Sequence, residues 1–188
     1  MAIKIYIDQG HNPSAPNTGA EGNGYKEQDI TYEVGTRLAS LLRQDPNFEV
    51  RVSRPTRQTQ LGTSNTGSLR ARVQDANSWG ADYFISIHAN ASETPAARGT
   101  EVLVYRIPSI ASSLAQDVLN GVTEATGLPD RGVKARPGLY VLRNTNMPAI
   151  LVELGFISNM TDANLMANNP SLFARGIYNG ILDFFSLS

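Results

Sequence analysis

The sequence contains no cysteine. Disulfide bonds, thiolate metal sites and cysteine nucleophiles are therefore excluded. A metal site in this chain would have to be built from histidine, aspartate and glutamate. The absence of cysteine leaves the cellular compartment open.

The chain also lacks a large excess of charge and any long apolar run. Sixteen Lys and Arg residues against seventeen Asp and Glu residues give a formal net charge of -1 at pH 7. Such a surface has no strong field to attract nucleic acid or an anionic membrane. No apolar stretch is long enough to span a bilayer. The start, Met1-Ala2-Ile3-Lys4-Ile5, has no basic segment followed by an apolar one, so we expect no secretory signal in this sequence.

Histidine is scarce too, with only two in 188 residues. A length of 188 residues suits one domain with a single sizeable core. No internal repeat, low-complexity tract or linker interrupts the chain, so we interpret residues 1–188 as one domain.

Strand and helix patterns alternate along the chain. Alternating isoleucines predict a strand at 2–8, a loop rich in Gly, Asn and Pro follows at 9–25, and helical spacing of apolar residues predicts a helix at 26–44. The other predicted elements are strands at 48–53, 83–88, 100–105, 139–143 and 149–153, loops at 55–67, 89–98 and 127–138, and helices at 68–79 (capped by Ser68), 110–126, 161–167 and 170–185. This alternation indicates an α/β fold with helices on both faces of a sheet.

Four ionisable side chains fall where α/β proteins build their sites. His11 follows the first strand, and His88 and Glu153 are the last residues of two later predicted strands. Glu27 lies in the first turn of the helix after the long loop. Because ligands bind outside the carboxyl ends of the strands in such sheets, we expect the four side chains to meet there.

These residue types favour a catalytic zinc site. Two imidazoles and one carboxylate are a known catalytic zinc set that leaves a fourth position for water. With His11, Glu27 and His88 as ligands, one Zn²⁺ would activate that water and polarise a scissile amide carbonyl. Glu153 is then the expected catalytic residue, a general base that passes the water's proton to the leaving nitrogen. Its apolar flanks predict a raised pKa.

Each of these residues also has an ordinary structural interpretation. A single histidine is more often a hydrogen-bonded structural residue than a ligand, and the helix dipole by itself favours an acidic residue at position 27. Glu153 could instead form a salt bridge to Arg54, Arg70 or Arg72. From these residues alone, a metal site and a structural role are about equally supported.

Short motifs follow one another in order across nearly the whole chain. They are Asp8-Gln9-Gly10-His11, Gly22-Asn23-Gly24-Tyr25-Lys26-Glu27, Ser53-Arg54, Leu69-Arg70-Ala71-Arg72, Ala76-Asn77, Ala81-Asp82-Tyr83-Phe84-Ile85-Ser86-Ile87-His88-Ala89-Asn90, Gly99-Thr100-Glu101-Val102, Arg131-Gly132-Val133-Lys134, Val141-Leu142-Arg143 and Pro148-Ala149-Ile150-Leu151-Val152-Glu153-Leu154-Gly155-Phe156-Ile157-Ser158-Asn159. Together they resemble the catalytic domain of the zinc-dependent N-acetylmuramoyl-L-alanine amidase family.

The resemblance implies a fold, a reaction and a site. The fold is a single domain with a twisted, mostly parallel (mixed) sheet and helices on both faces. The reaction is zinc-dependent hydrolysis of the amide between N-acetylmuramic acid and L-alanine in bacterial peptidoglycan, as in autolysins, which implies a location outside the cell or at the wall. The family's zinc ligands fall on His11, Glu27 and His88, and its catalytic glutamate falls on Glu153.

Two further residues are weaker candidates for substrate binding. Asn90 lies two residues past a predicted ligand, and Arg143 could pair with a carboxylate of the stem peptide. A turn and a solvated surface position are their respective alternatives.

The sequence departs from the family pattern in places. Gln9 and Asn12-Pro13 replace the usual residues around the first histidine, which affects only the expected loop shape. Some family members insert a long blocking helix between the second histidine and the glutamate. The short segment 89–98 predicts an open site that needs no activator, and we expect no separate wall-binding domain in this sequence.

Two other functions stay open on the sequence alone. One is a zinc carboxypeptidase-like peptide hydrolase, which the lack of an evident arginine clamp for a terminal carboxylate disfavours. The other is a non-catalytic wall-binding module, which the presence of all four site residues disfavours, because a binder needs no base.

Overall fold

Eight strands form two sheets within residues 2–187, the part of the chain that the computed structural model describes. The strands are β1 (Ile3–Gln9), β2 (Glu21–Gly22), β3 (Tyr25–Lys26), β4 (Phe48–Val52), β5 (Tyr83–Asn90), β6 (Thr100–Val104), β7 (Asp130–Ala135) and β8 (Ala149–Phe156). β2 and β3 form a small antiparallel hairpin, and the other strands form the central sheet.

The central sheet has the strand order β4-β1-β5-β8-β6-β7. β4, β1, β5 and β8 are parallel, β6 is antiparallel to β8, and β7 is parallel to β6. The mostly parallel, mixed sheet expected from the sequence is therefore confirmed. Because β6 and β7 run in the opposite direction to the other four strands, their amino ends lie at the same edge as the carboxyl ends of β1, β5 and β8.

Helices cover both faces of this sheet. They are α1 (Glu27–Gln44), α2 (Asn65–Trp79), α3 (Ile110–Thr126), α4 (Tyr140–Asn144), α5 (Met160–Asn168) and α6 (Pro170–Phe185). Ile7 and Val152 pack in one core with α1, α3 and α6, whereas Tyr6 and Leu151 pack in a second core with α2 and α4. Successive strand residues point to opposite faces, so strands buried on both faces appear as continuous apolar runs.

Helices α3 and α6 meet at a contact built from glycine. A Cβ atom on Gly180 would lie 2.4 Å from the main-chain oxygen of Asp117, and one on Gly121 would lie 2.3 Å from that of Gly176. These separations are shorter than any normal contact. The two helices therefore approach so closely only because no side chain stands between them.

The helices predicted at 26–44, 110–126 and 170–185 are confirmed as α1, α3 and α6. The start of α2 was predicted too late. Ser64, rather than Ser68, caps the helix, and its hydroxyl accepts a hydrogen bond from the main-chain nitrogen of Gly67 at 2.9 Å. None of the helices in residues 2–187 is both long enough and apolar enough to cross a membrane.

Other expectations are also wrong. The loop predicted at 9–25 contains the short strand β2, which pairs with β3. The loop predicted at 127–138 contains β7, whose glycine and charged residues concealed a strand at the edge of the sheet. The strand predicted at 139–143 is the helix α4. The prediction failed because an apolar run this short does not distinguish the two-residue period of a strand from the 3.6-residue period of a helix. Within α4 the adjacent residues Val141 and Leu142 are both buried in the second core, whereas a strand would direct them to opposite faces.

Candidate metal centre and catalytic glutamate

His88 and Glu153 lie side by side on adjacent central strands. They are Cα partners in the parallel pair β5–β8, and such strands lie about 4.8 Å apart, with residues in register on the same face. Both strands continue beyond these residues, to Asn90 and Phe156, so the prediction that His88 and Glu153 end their strands is wrong. Asparagine and glycine, which follow at Asn90 and Gly155, are disfavoured in strands, yet β5 and β8 stay paired beyond an irregularity in register, with Asn90 opposite Phe156.

His11 is held in a backbone conformation that is uncommon for its residue type. Its φ of 65° lies in the left-handed region, which a β-carbon disfavours. The main-chain oxygen of His11 accepts a hydrogen bond from Arg72 Nη2 at 2.7 Å, and that of Gln9 accepts one from Arg72 Nη1 at 2.6 Å. Arg72 therefore fixes the turn that carries His11 out of β1.

Gly10 allows this turn to approach the second histidine. Its main-chain nitrogen donates a hydrogen bond to the oxygen of Ile87 at 3.0 Å. A Cβ atom at Gly10 would lie 2.6 Å from His88 Cε1, which no real contact allows. The approach of His11 to His88 thus depends on glycine at this position.

Glu27 is the first residue of α1 and is buried, with 4% of its surface exposed. Its Oε2 accepts a hydrogen bond from the main-chain nitrogen of Ala20 at 2.9 Å, and its Oε1 accepts one from that of Ala89 at 3.0 Å. Burial alone would raise the pKa of Glu27, but hydrogen bonds from His11 and His88 outweigh it and hold the pKa below its usual range. The carboxylate is therefore ionised and fixed from two sides.

Three potential ligand groups converge at Glu27. Glu27 Oε1 lies 3.1 Å from His11 Nε2 and 3.0 Å from His88 Nδ1, and the donor atoms of all three residues lie within 4.8 Å of one another. Two atoms bound at about 2.1 Å to a tetrahedral zinc ion lie about 3.4 Å apart. The donor set of two imidazoles and a carboxylate suits zinc, and the spacings of 3.0 and 3.1 Å are slightly shorter than those of a zinc-bound set.

Glu153 presents a carboxyl oxygen without a partner. Its Oε2 is buried and forms no hydrogen bond within residues 2–187. Burial raises the pKa of Glu153 to about 8, and the negative charges of Glu27 and Glu101 add to the rise. A divalent cation at the three ligands would lower this pKa, because it favours the ionised form. A half-buried carboxyl with a raised pKa, beside three potential metal ligands, is suited to proton transfer.

The arginines considered as salt-bridge partners of Glu153 are engaged elsewhere or exposed. Arg72 pairs with Asp8 at 2.6 Å, and Arg54 donates from Nη1 to the main-chain oxygen of Gln28 at 2.9 Å. Arg70 is exposed on α2. Among the described residues Glu153 forms no ion pair, so the structural alternative for this residue is not observed.

Asn90 and Arg143 lie in different surroundings. Asn90 is close to the site, but its Nδ2 already donates to Glu101 Oε1 at 3.2 Å, so its role in substrate binding stays a prediction. Arg143 is exposed on α4 and lines a surface cleft that includes Ala149, the first residue of β8. Glu153 lies four residues further along β8 than Ala149, a distance of about 13 Å at about 3.3 Å per residue. The structure does not bring Arg143 to the histidines.

The sequence analysis missed a charged group next to Glu153. Glu101 of β6 is the Cα partner of Glu153, and its carboxylate binds Arg131 and Lys134 of β7. A signal was present, since Arg131-Gly132-Val133-Lys134 is one of the motifs that resemble the family. Its assignment to a loop separated it from the sheet and therefore from the site.

The segment between β5 and β6 contains no helix within 91–99, and α3 packs against α6 in the core. This agrees with the absence of an inserted helix over the site. That the protein needs no activator stays a prediction.

Known proteins resemble this chain over almost its full length. The Amidase_3 family model, described as N-acetylmuramoyl-L-alanine amidase, matches residues 5–183. The N-acetylmuramoyl-L-alanine amidase CwlM of Bacillus licheniformis is 37% identical over 99% of this chain and 70% of that protein. The endolysin of Bacillus phage SPP1 is 35% identical over 100% of this chain and 68% of that protein. The catalytic domain of CwlV, an amidase of Bacillus (Paenibacillus) polymyxa var. colistinus, superimposes with a TM-score of 0.86 at 32% identity, over 99% of both chains.

Proposed function

This chain belongs to the N-acetylmuramoyl-L-alanine amidase family, and we propose that it hydrolyses the amide between the lactyl group of N-acetylmuramic acid and L-alanine in bacterial peptidoglycan. We propose that one Zn²⁺ ion, bound by His11, Glu27 and His88, supports the reaction. Glu153 is the catalytic residue in this proposal. Family membership favours such an enzyme over a non-catalytic wall-binding module or a carboxypeptidase-like peptidase.

The observation that carries the proposal is the juxtaposition of a complete ligand set with an unpartnered carboxyl group. His11 Nε2 and His88 Nδ1 lie 3.1 and 3.0 Å from Glu27 Oε1, while the buried Oε2 of Glu153 has no hydrogen-bond partner within residues 2–187. Most buried polar atoms in folded proteins have a hydrogen-bond partner. An orphaned oxygen next to a ligand set indicates a group that is completed by substrate or water.

Each residue has a defined task in the reaction. His11, Glu27 and His88 would hold a zinc ion, which would supply the Lewis acidity needed to activate water at neutral pH and to polarise the lactyl carbonyl. Glu153 accepts a proton from the attacking water and delivers it to the alanine nitrogen as the carbon–nitrogen bond breaks. The main-chain nitrogens of Ala20 and Ala89 fix the Glu27 carboxylate, and Arg72 fixes the turn at His11.

We also propose that residues 1–188 act as a single catalytic amidase domain. The matched relatives include a bacterial amidase and a phage endolysin, proteins that act on cell walls. A location outside the cell or at the wall follows from the same substrate.

The test is cleavage of purified peptidoglycan by the purified protein, with and without a zinc chelator. Mass spectrometry should find intact glycan strands and new L-alanine amino termini, which the chelator abolishes and added zinc restores. Cleavage elsewhere in the stem peptide would contradict the proposed bond. Cleavage that resists the chelator would contradict the metal.

A further inference from the structure

Ionisable side chains continue across the sheet from Glu153 to the edge strand β7. Glu101 lies directly opposite Glu153 in the antiparallel pair β6–β8, where such partners point to one face with Cβ atoms about 5 Å apart. Lys134 is in register with Leu103, two residues from Glu101, and therefore projects from the same face. His88, Glu153, Glu101 and Lys134 form one row.

The carboxylate of Glu101 organises the outer end of this row. It is 7% exposed, and its Oε2 forms ion pairs with Lys134 and with Arg131 Nε, the latter at 3.4 Å. The guanidinium of Arg131 also lies over the ring of Phe156, at 4.9 Å from its centroid. These contacts hold two cations beside the strand that carries the catalytic glutamate.

The cations outnumber the carboxylate that holds them. Lys134 and Arg131 face the single negative charge of Glu101, and within residues 2–187 the neighbouring Asp130 forms no ion pair with either of them. The side chains of Lys134 and Arg131 remain 33% and 36% exposed. An ammonium group has three donors and a guanidinium five, so several N–H groups face solvent with a net positive charge.

We propose that Lys134 and Arg131 bind a carboxylate of the stem peptide and make the enzyme selective for muropeptides that carry it. The inference rests on the proposed function, in which Glu153 faces the leaving alanine nitrogen and the stem peptide begins there. Two strand spacings of about 4.8 Å separate β8 from β7, a distance that about three extended residues span. The carboxylate therefore belongs to the second or third residue of the stem.

A carboxylate is the ligand that this chemistry recognises best. Ammonium and guanidinium groups form charge-assisted hydrogen bonds to it that are about twice as strong as neutral ones. A carboxamide of the same shape supplies one oxygen without charge and adds N–H donors that the two cations repel. The site should thus distinguish stem peptides by amidation alone.

The experiment compares kcat/KM on matched muropeptides that differ only by a carboxylate or a carboxamide at the second stem residue, with a second matched pair at the third. The wild type should prefer the carboxylate in one pair by about 10-fold, the size expected for a charge-assisted contact. In Lys134→Met, kcat/KM on the carboxylate substrate should fall by about that factor more than kcat/KM on the carboxamide substrate, mainly through KM. Arg131→Gln should reduce the preference in the same way.

Two controls separate recognition from folding and from general charge. Lys134→Arg keeps the cation and should keep the preference. Arg136→Gln removes an exposed cation just after β7 and should leave the preference unchanged. Equal rates of the wild type on both members of both pairs, or a preference that survives both Lys134→Met and Arg131→Gln, would overturn the inference while the proposed function stands. Failure of the wild type to release L-alanine termini from any muropeptide would instead refute the function, and the inference with it.

Discussion

Arg72 donates a hydrogen bond from Nη2 to the main-chain oxygen of His11 at 2.7 Å. The guanidinium is fully buried and connects α2 to the turn that carries a proposed zinc ligand. Since the left-handed φ of His11 is unfavourable for a residue with a side chain, the contact with Arg72 helps to maintain it. Arg72 thus holds the turn in the shape that the proposed zinc site needs.

Arg72→Lys should weaken zinc binding. A lysine ammonium cannot reproduce the planar fork that reaches Asp8, Gln9 and His11 together. Loss of an outer contact to a ligand typically costs about 10- to 100-fold in metal affinity. Competition with a chelator measures the zinc dissociation constant, and Arg43→Lys on the last turn of α1 is the control. Unchanged affinity in Arg72→Lys would show that the turn keeps its shape unaided.

Asp8→Asn should destabilise the fold, and the effect should shrink in acid. Burial alone would raise the pKa of Asp8, but the ion pair with Arg72 outweighs it and holds the pKa below its usual range. The ionised form is thus favoured by folding, so this contribution is complete above the unfolded pKa of about 3.9 and is lost as the pH falls through the lower folded value.

Urea unfolding of wild type and Asp8→Asn from pH 7 to pH 3 measures this contribution. The difference in free energy of unfolding should be about 3–5 kcal/mol at pH 7, since the substitution leaves Arg72 buried and unpaired. It should narrow only below about pH 4. Asp29→Asn, which removes an exposed partner of Arg57, should cost about 1 kcal/mol or less. A difference that does not change with pH would contradict the assignment to ionised Asp8.

Glu153→Gln should separate catalysis from metal binding. The amide preserves shape but cannot accept and return a proton, so kcat should fall by about 100-fold or more. The three ligands are untouched, and zinc content by atomic absorption should match the wild type. Full activity in this variant would refute the role of Glu153, whereas loss of zinc would mean that Glu153 belongs to the ligand set.

Glu27→Gln should remove zinc from the protein. Its carboxylate is the charged member of the ligand set and the point where His11 and His88 converge. A neutral amide binds zinc poorly, so metal content should fall well below one ion per chain after dialysis. Glu21→Gln makes the same change on the exposed hairpin and should retain the metal. Equal zinc in both variants would exclude Glu27 as a ligand.

Gly180→Ala should destabilise the contact between α3 and α6. The added methyl group would lie 2.4 Å from the main-chain oxygen of Asp117, so the helices must separate, at a cost of about 3 kcal/mol. Gly138→Ala places its methyl group in open space and should stay within about 1 kcal/mol of wild type. Thermal unfolding of both variants makes the comparison, and equal midpoints would contradict the close helix approach.

Elements whose apolar residues repeat with a clear period could be predicted from the sequence, and elements without such a repeat could not. The long amphipathic helices α1, α3 and α6 were predicted almost to the residue, because burial of one face repeats over several turns. The strand β7 was missed because four of its six residues are charged or glycine, and only pairing with β6 makes it a strand. The same error concealed Lys134 and Arg131 as neighbours of the site.

The candidate ligands could be named from the sequence, since two histidines and well-placed glutamates leave few other ways to bind zinc in a protein without cysteine. Their geometry depends on contacts between residues far apart in sequence. Strand register sets Glu153 beside His88 and opposite Glu101, and a buried arginine from α2 holds His11. Register and buried ion pairs arise only when separate segments pack together, because no local pattern specifies which residue of one strand faces which residue of the next.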